Sequence, residues 1–186
     1  MNGSLLSHIG EDSSKGRVAD DSIRKLAKCR ISLFPECAIN LTLPQQLTTG
    51  AVLRDKEYAW ELSAFPLALE HARRTGYACL GGQFWIVLPD NSLYELFWLE
   101  ANATDRQTDE PWQDFVERSC GEVLGSFNAL VSQTDFVKEA RSFTSLESLT
   151  VEDFPSKFRL LFNAYFVSEQ EFFSLQLDTL SSLRNR

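Results

Sequence analysis

Two β-rich segments, Tyr77 to Leu88 and Leu93 to Glu100, flank Pro89-Asp90-Asn91-Ser92, a run made entirely of turn-forming residues. This is the strongest structural constraint in the chain, because it commits the middle of the sequence to an antiparallel hairpin. With the four turn residues as the loop, Leu88 faces Leu93. Alternation then gathers Phe84, Ile86, Leu88, Leu93, Phe97 and Leu99 on one face, with Glu95 as the only charged intruder. The other face gathers Trp85, Val87, Tyr94, Leu96 and Trp98. The first face is expected to be core. The second is either buried under another layer or an aromatic docking surface. Gly81-Gly82 inside the first strand reads as a bulge or a close backbone approach, more than as a phosphate cradle.

Around the hairpin the periodicity is helical. Trp112 to Val131 carries Trp112, Phe115, Val116, Ser119, Cys120, Val123, Leu124, Phe127, Leu130 and Val131 on one stripe. Tyr58 to Arg74 also reads as helix, through Trp60, Ala64, Leu67, Ala68 and His71, with Gly76 as terminator. Pro66 offers an alternative start for that helix. The last 36 residues are expected to return to helix, with Thr150 as one cap and Ser168–Glu171 as a capping box. Ala38 to Leu43 suggests a short strand, and Ile23, Leu26 and Ala27 give the basic segment Arg24 to Arg30 a helical pattern. Residues 1–21, rich in Ser, Gly and Asp, read as a flexible leader. The expectation is one α+β domain over 22–186: a small antiparallel sheet built around a central hairpin and packed against several amphipathic helices.

A chain of 186 residues, 44% apolar and 24% charged, is of single-domain size and of ordinary globular composition. These figures exclude collagen, coiled coil and wholesale disorder. A net charge of −8 disfavours a nucleic-acid groove, which needs a basic surface to neutralise phosphates. No apolar run has the length of a signal peptide core or a membrane span, so a cytosolic, non-membrane protein is expected. Cys29, Cys37, Cys79 and Cys120 are too irregularly spaced for a metal knuckle or redox pair and read as small buried hydrophobes.

The residues for catalysis are few. His8 lies in the leader and His71 on or beside an apolar stripe. Cys79 has no evident base or orienting group. No Walker loop, GxSxG elbow, HExxH or dinucleotide fingerprint occurs, so no enzymatic activity, cofactor or metal is expected. Charge distribution is more informative. Residues 90–122 hold nine acids against two bases, Arg106 and Arg118, and so carry −7 of the chain's −8. Such crowding is normally a cost, and a basic partner turns it into steering and affinity.

One stretch resembles a known family. Leu80-Gly81-Gly82 opens a strand, Trp98 sits late in the next, and Asp109-Glu110-Pro111-Trp112-x-x-Phe115-Val116-x-x-Ser119 leads into a helix. This order is similar to the immunity protein 40 family of bacterial polymorphic toxin systems, over roughly Phe65 to Val131. Gln83 and Phe115 stand where that family carries Asp and Tyr. The resemblance implies a cytosolic protein that binds and neutralises a cognate toxin. Glu100, Asp105, Asp109 and Glu110 are then expected at the interface with a basic toxin, with Trp85 and Trp98 as anchors. The alternatives are a binding module or chaperone that shields an apolar partner segment, and an enzyme with a dispersed acid site around Asp105 to Asp114.

Overall fold

The computed structural model describes residues 43–148, 150–153 and 157–174. Their order is α1 (Gln45–Thr48), β1 (Ala51–Arg54), β2 (Glu57–Glu61), α2 (Phe65–Thr75), β3 (Ala78–Val87), β4 (Leu93–Asn102), α3 (Trp112–Gln133), α4 (Phe136–Ala140), two 3₁₀ turns (Thr144–Leu146 and Val151–Asp153) and β5 (Arg159–Val167). A helical turn at 169–174 follows. The strands form a five-stranded sheet in the order β1-β2-β5-β3-β4, antiparallel throughout. The expected α+β class holds. The expected leader, the basic segment Arg24 to Arg30 and the strand Ala38 to Leu43 lie outside the described residues, except Leu43, which is buried in the core.

The expected hairpin forms, with its register moved by one residue. Val87 pairs with Leu93, Ile86 with Tyr94, Trp85 with Glu95 and Phe84 with Leu96. Leu88 N–H donates to Ser92 O at 3.0 Å, so the loop is one residue tighter than the turn composition implies. Side chains alternate with a period of two, so this slip turns β4 over. Leu96, Tyr94 and Trp98 join Phe84 and Ile86 in the main core, while Leu93 packs with Trp85 and Val87 on the opposite face. Phe97, expected in the core, is only half-buried. Opposite Gln83 the pairing jumps to Glu100, so Phe97, Trp98 and Leu99 form a bulge and Leu99 returns to the main core.

β5 is the correction to the helical reading of the tail. Leu160, Phe162, Ala164 and Phe166 enter the main core, and Leu161 enters the second cluster. The strand lies between β2 and β3 and is buried on both faces, with Phe162 and Ala164 on one and Leu161 and Asn163 on the other, so burial does not alternate along its sequence. The helix expected from Tyr58 is also corrected. Glu57–Glu61 is strand, paired with β1 through a turn at Asp55 (φ 56°), and the helix begins at Phe65 with Pro66 in its first turn. Its buried stripe is Phe65, Ala68, Leu69 and Ala72, and Leu67 is 49% exposed. Gly76 ends it in the left-handed region at φ 74°, as expected.

α2 and α3 cover one face of the sheet. Phe65, Phe84, Phe127 and Phe162 form its centre, with Phe65 and Phe162 ring centroids 4.5 Å apart and Phe84 and Phe162 5.0 Å apart. Trp60 Nε1 donates to Leu47 O at 3.1 Å, which satisfies the indole inside the core. Of the stripe expected on α3, Phe115, Val116, Ser119, Cys120, Val123 and Phe127 are buried. The close approach foreseen at the glycine pair is real: a Cβ on Gly82 would lie 2.7 Å from the Phe162 ring and still closer to Asn163 O. The Ser168–Glu171 capping box forms, with Ser168 N–H donating to Glu171 Oε2 at 2.7 Å, and seats Phe172 against Trp112 and Phe115.

Candidate functional site

Segment 103–111 leaves the end of β4 and returns to the start of α3. It is held by Arg118, whose planar guanidinium matches a carboxylate with two parallel donors. Its Nε and Nη2 donate to the two oxygens of Glu110 at 2.8 and 2.9 Å, and Nη1 donates to Glu122 Oε1 at 2.9 Å. Nη2 also donates to Asp105 O at 3.0 Å, and Thr104 N–H donates to Glu122 Oε2 at 2.7 Å. The Arg118 hydrogen bonds hold the Glu110 carboxyl down to about 2. Arg106 donates to Glu110 O and lies over the Phe173 ring, 5.5 Å from its centroid.

Both bases of the acidic segment are therefore engaged within the chain. Asp105, Asp109, Asp114 and Glu117 are exposed, and among the described residues only Glu117 of the four approaches a base, Arg73 Nε at 3.6 Å. Glu110 is not free in the same way: its side chain is 10% exposed and bound to Arg118. Glu100 is half-buried, and its Oε2 is buried without a hydrogen-bond partner.

The two expected tryptophan anchors do not share a face. Trp98 packs on the main-core side, its Nε1 donating to Glu139 Oε2 at 2.7 Å, with Phe97 edge-on at 4.9 Å. Trp85 lies on the opposite side with Ala59, Val87 and Leu161, flanked by Val52 and Leu93, and is 1% exposed. A shallow cavity of about 270 Å³ adjoins it, lined by Val52, Arg54, Trp85, Val87, Arg159 and Leu161 among others. Every member of this second cluster is a strand residue.

Beside it, on the same face, lies a polar row that the slipped register concealed. Asn163 of β5 pairs with Ala59 of β2 and Gln83 of β3, and Gln83 pairs with Glu100 of β4. Asn163 Nδ2 donates to Tyr58 O at 3.0 Å, and Gln83 Nε2 donates to Glu95 Oε2 at 3.1 Å. Tyr165 O–H donates to Glu57 Oε1 at 2.9 Å, and burial pushes the Glu57 carboxyl up. Two sequence signals pointed here: Glu95 as the intruder on an apolar face, and Gln83 where the resembled family carries Asp.

Among the described residues no group of His, Cys, Asp and Glu is arranged to hold a metal ion, and no helix is long and apolar enough to cross a membrane. Cys79 and Cys120 are buried free thiols, and burial pushes both thiol pKa values up, opposite to the direction a nucleophile needs. No protein-family model, curated protein or solved structure matches the chain.

Proposed function

We propose that this chain is a cytosolic immunity protein, which binds and neutralises a cognate basic toxin through its acidic surface and performs no chemistry itself. The observation that carries this reading is the fate of charge in residues 90–122. Arg106 and Arg118 are spent inside the chain, while Asp105, Asp109 and Asp114 point their charge at solvent. Unneutralised acids around one loop raise the local concentration of a basic partner and speed its encounter. The motif order from Leu80 to Ser119 supports the same reading. The test is to express the chain together with the toxin encoded beside its gene. Rescue of growth and a complex that survives gel filtration are expected; a folded chain that neither rescues nor binds would end the proposal.

A further inference from the structure

β4 ends the sheet on one side, and among the described residues no strand lies beyond it. The direction of its backbone groups follows from the two ends of its pairing. Leu88 N–H donates to Ser92 O beside the hairpin loop, and Ala103 N–H donates to Leu80 O at the far end. Backbone groups alternate in direction along a strand, so the N–H and C=O of Tyr94, Leu96 and Ala101 face β3. Those of Leu93 and Glu95, and beyond the bulge those of Glu100 and Asn102, face outward. Among the described residues nothing exchanges a backbone hydrogen bond with them. Such a row is a template on which another extended chain can add as a strand.

The side chains along this edge decide what kind of chain it suits. From Asp90 to Asp105 the sequence holds four acids and no base. Asp90, Glu95 and Asp105 are exposed, so acids mark the loop before the edge, the edge itself and the segment after it. Among the described residues none of the four forms an ion pair. Phe97, half-buried and outside the core clusters, offers an apolar contact two residues on from Glu95. A second copy of this chain would bring the same acids and no base, and like charges facing each other across a strand pair are destabilising. An extended segment with lysine or arginine at alternate positions sets its cations along Glu95 and Glu100 instead, because side chains on one face recur every second residue.

We infer that the outer edge of β4, Leu93 and Glu95 before the bulge with Glu100 and Asn102 beyond it, receives an extended basic segment of a protein partner. The segment adds antiparallel, as every other neighbour in this sheet does. The inference rests on the reading of the chain as a binder of a basic protein, and it names the element that grips the partner where the Asp105 loop attracts it. Backbone hydrogen bonds hold the segment in place, and Glu95 and Glu100 select its charge. The residue facing Glu95 turns its own N–H and C=O to β4, so a lysine there is held by backbone and side chain together.

The test is amide hydrogen exchange, read by NMR on the full chain alone and with an acetylated, amidated Lys-Thr-Lys-Val-Lys-Thr-Lys peptide. In the free chain the Leu93 and Glu95 amides should exchange at least about tenfold faster than those of Tyr94 and Leu96, which β3 already holds. The peptide should remove that difference. Methylating the peptide's lysine backbone nitrogens should weaken binding by about tenfold or more, since several edge hydrogen bonds are lost together. Methylating the threonine and valine nitrogens instead, which face away from β4, should change it by less than about threefold. Glu95→Gln keeps the backbone N–H and should weaken binding by about threefold, the scale of one exposed ion pair. Leu93 and Glu95 amides already slow in the free chain, no slowing at millimolar peptide, or equal binding of the lysine-methylated peptide would each overturn the inference. So would slowing that grows with the concentration of the chain alone, the mark of a second copy on the edge. Toxin binding that slows amides in 103–111 but not those of Leu93 and Glu95 would leave the immunity reading standing without this edge. Peptide addition at β4 without toxin binding would do the reverse.

Discussion

At the scale of single residues, close packing decides most outcomes. Gly82 passes so near Asn163 O and the Phe162 ring that any Cβ must push backbone aside. Gly82→Ala is therefore expected to cost about 1–3 kcal/mol or more in a denaturant titration, the range for overpacking a filled site. Phe84→Ala removes a ring in contact with Phe127, Phe136 and Phe162 and should cost about 3–5 kcal/mol. Phe97→Ala, at a half-buried position outside the core clusters, should cost about 1 kcal/mol. Comparable losses for the two would mean that β4 presents its other face to the core. Glu57 gives a test by pH. Burial raises its carboxyl pKa, so the folded state holds that proton more tightly than the unfolded chain. The stability from this preference is present at low pH and is lost as pH rises through the raised value. Glu57→Gln keeps an acceptor for Tyr165 and should raise the melting temperature at pH 7, with the gain vanishing towards pH 4. A loss at pH 7 would contradict the burial argument.

The scale of elements shows what the residue order made legible. The hairpin, α3, the Gly76 stop and the Ser168–Glu171 box were all readable, because each rests on a local rule. The register was not, since turn composition bounds a loop without setting its length. A shift of one residue exchanged the partners of Leu96, Trp98 and Leu93 across the sheet. Glu95 is the sequence signal of the true register, a charge that does not belong on an apolar face. β5 was illegible for another reason: a strand covered on both faces lacks alternation, and seven aromatics in the tail imitate a helical stripe. Trp60 fits a helical pattern because its spacing to Ala64 and Leu67 is helical, while its actual partner, Phe162, is far off in the chain. For the candidate site, Asp105 and Asp109 were legible as exposed acids in a polar loop. Glu110 looked identical to them, and only the fold brings Arg118 across to it. The loop itself titrates. The Arg118 bonds hold Glu110 down to about 2, below the ~4.3 of a free glutamate. The stabilisation is complete above pH ~4.5 and falls away as pH drops towards 2. The Gln107 amide, which donates to Glu110 Oε2 at 3.1 Å, should report this as a shift with a midpoint near 2. A midpoint above 4 would show that Arg118 does not grip the loop. Glu110→Gln should lower the melting temperature at neutral pH and leave it unchanged near pH 2.

At the scale of the whole molecule, the helices fill one side of the sheet and use the aromatic surplus there. The acidic loop and the polar row lie apart from that packing. Of the loop only Ala103 packs against the main core, and Asp105 and Asp109 form no ion pair among the described residues. A surface of this kind acts on encounter before it acts on affinity, because rim charges set the association rate. The central claim, that the acidic surface steers a basic toxin onto the chain, is tested most directly by stopped-flow association of the purified pair across a salt series. Asp105→Lys with Asp109→Lys should slow association by about tenfold at low salt and flatten its salt dependence, with little change in dissociation. An association rate equal to that of the unmodified chain at every salt concentration would contradict the account.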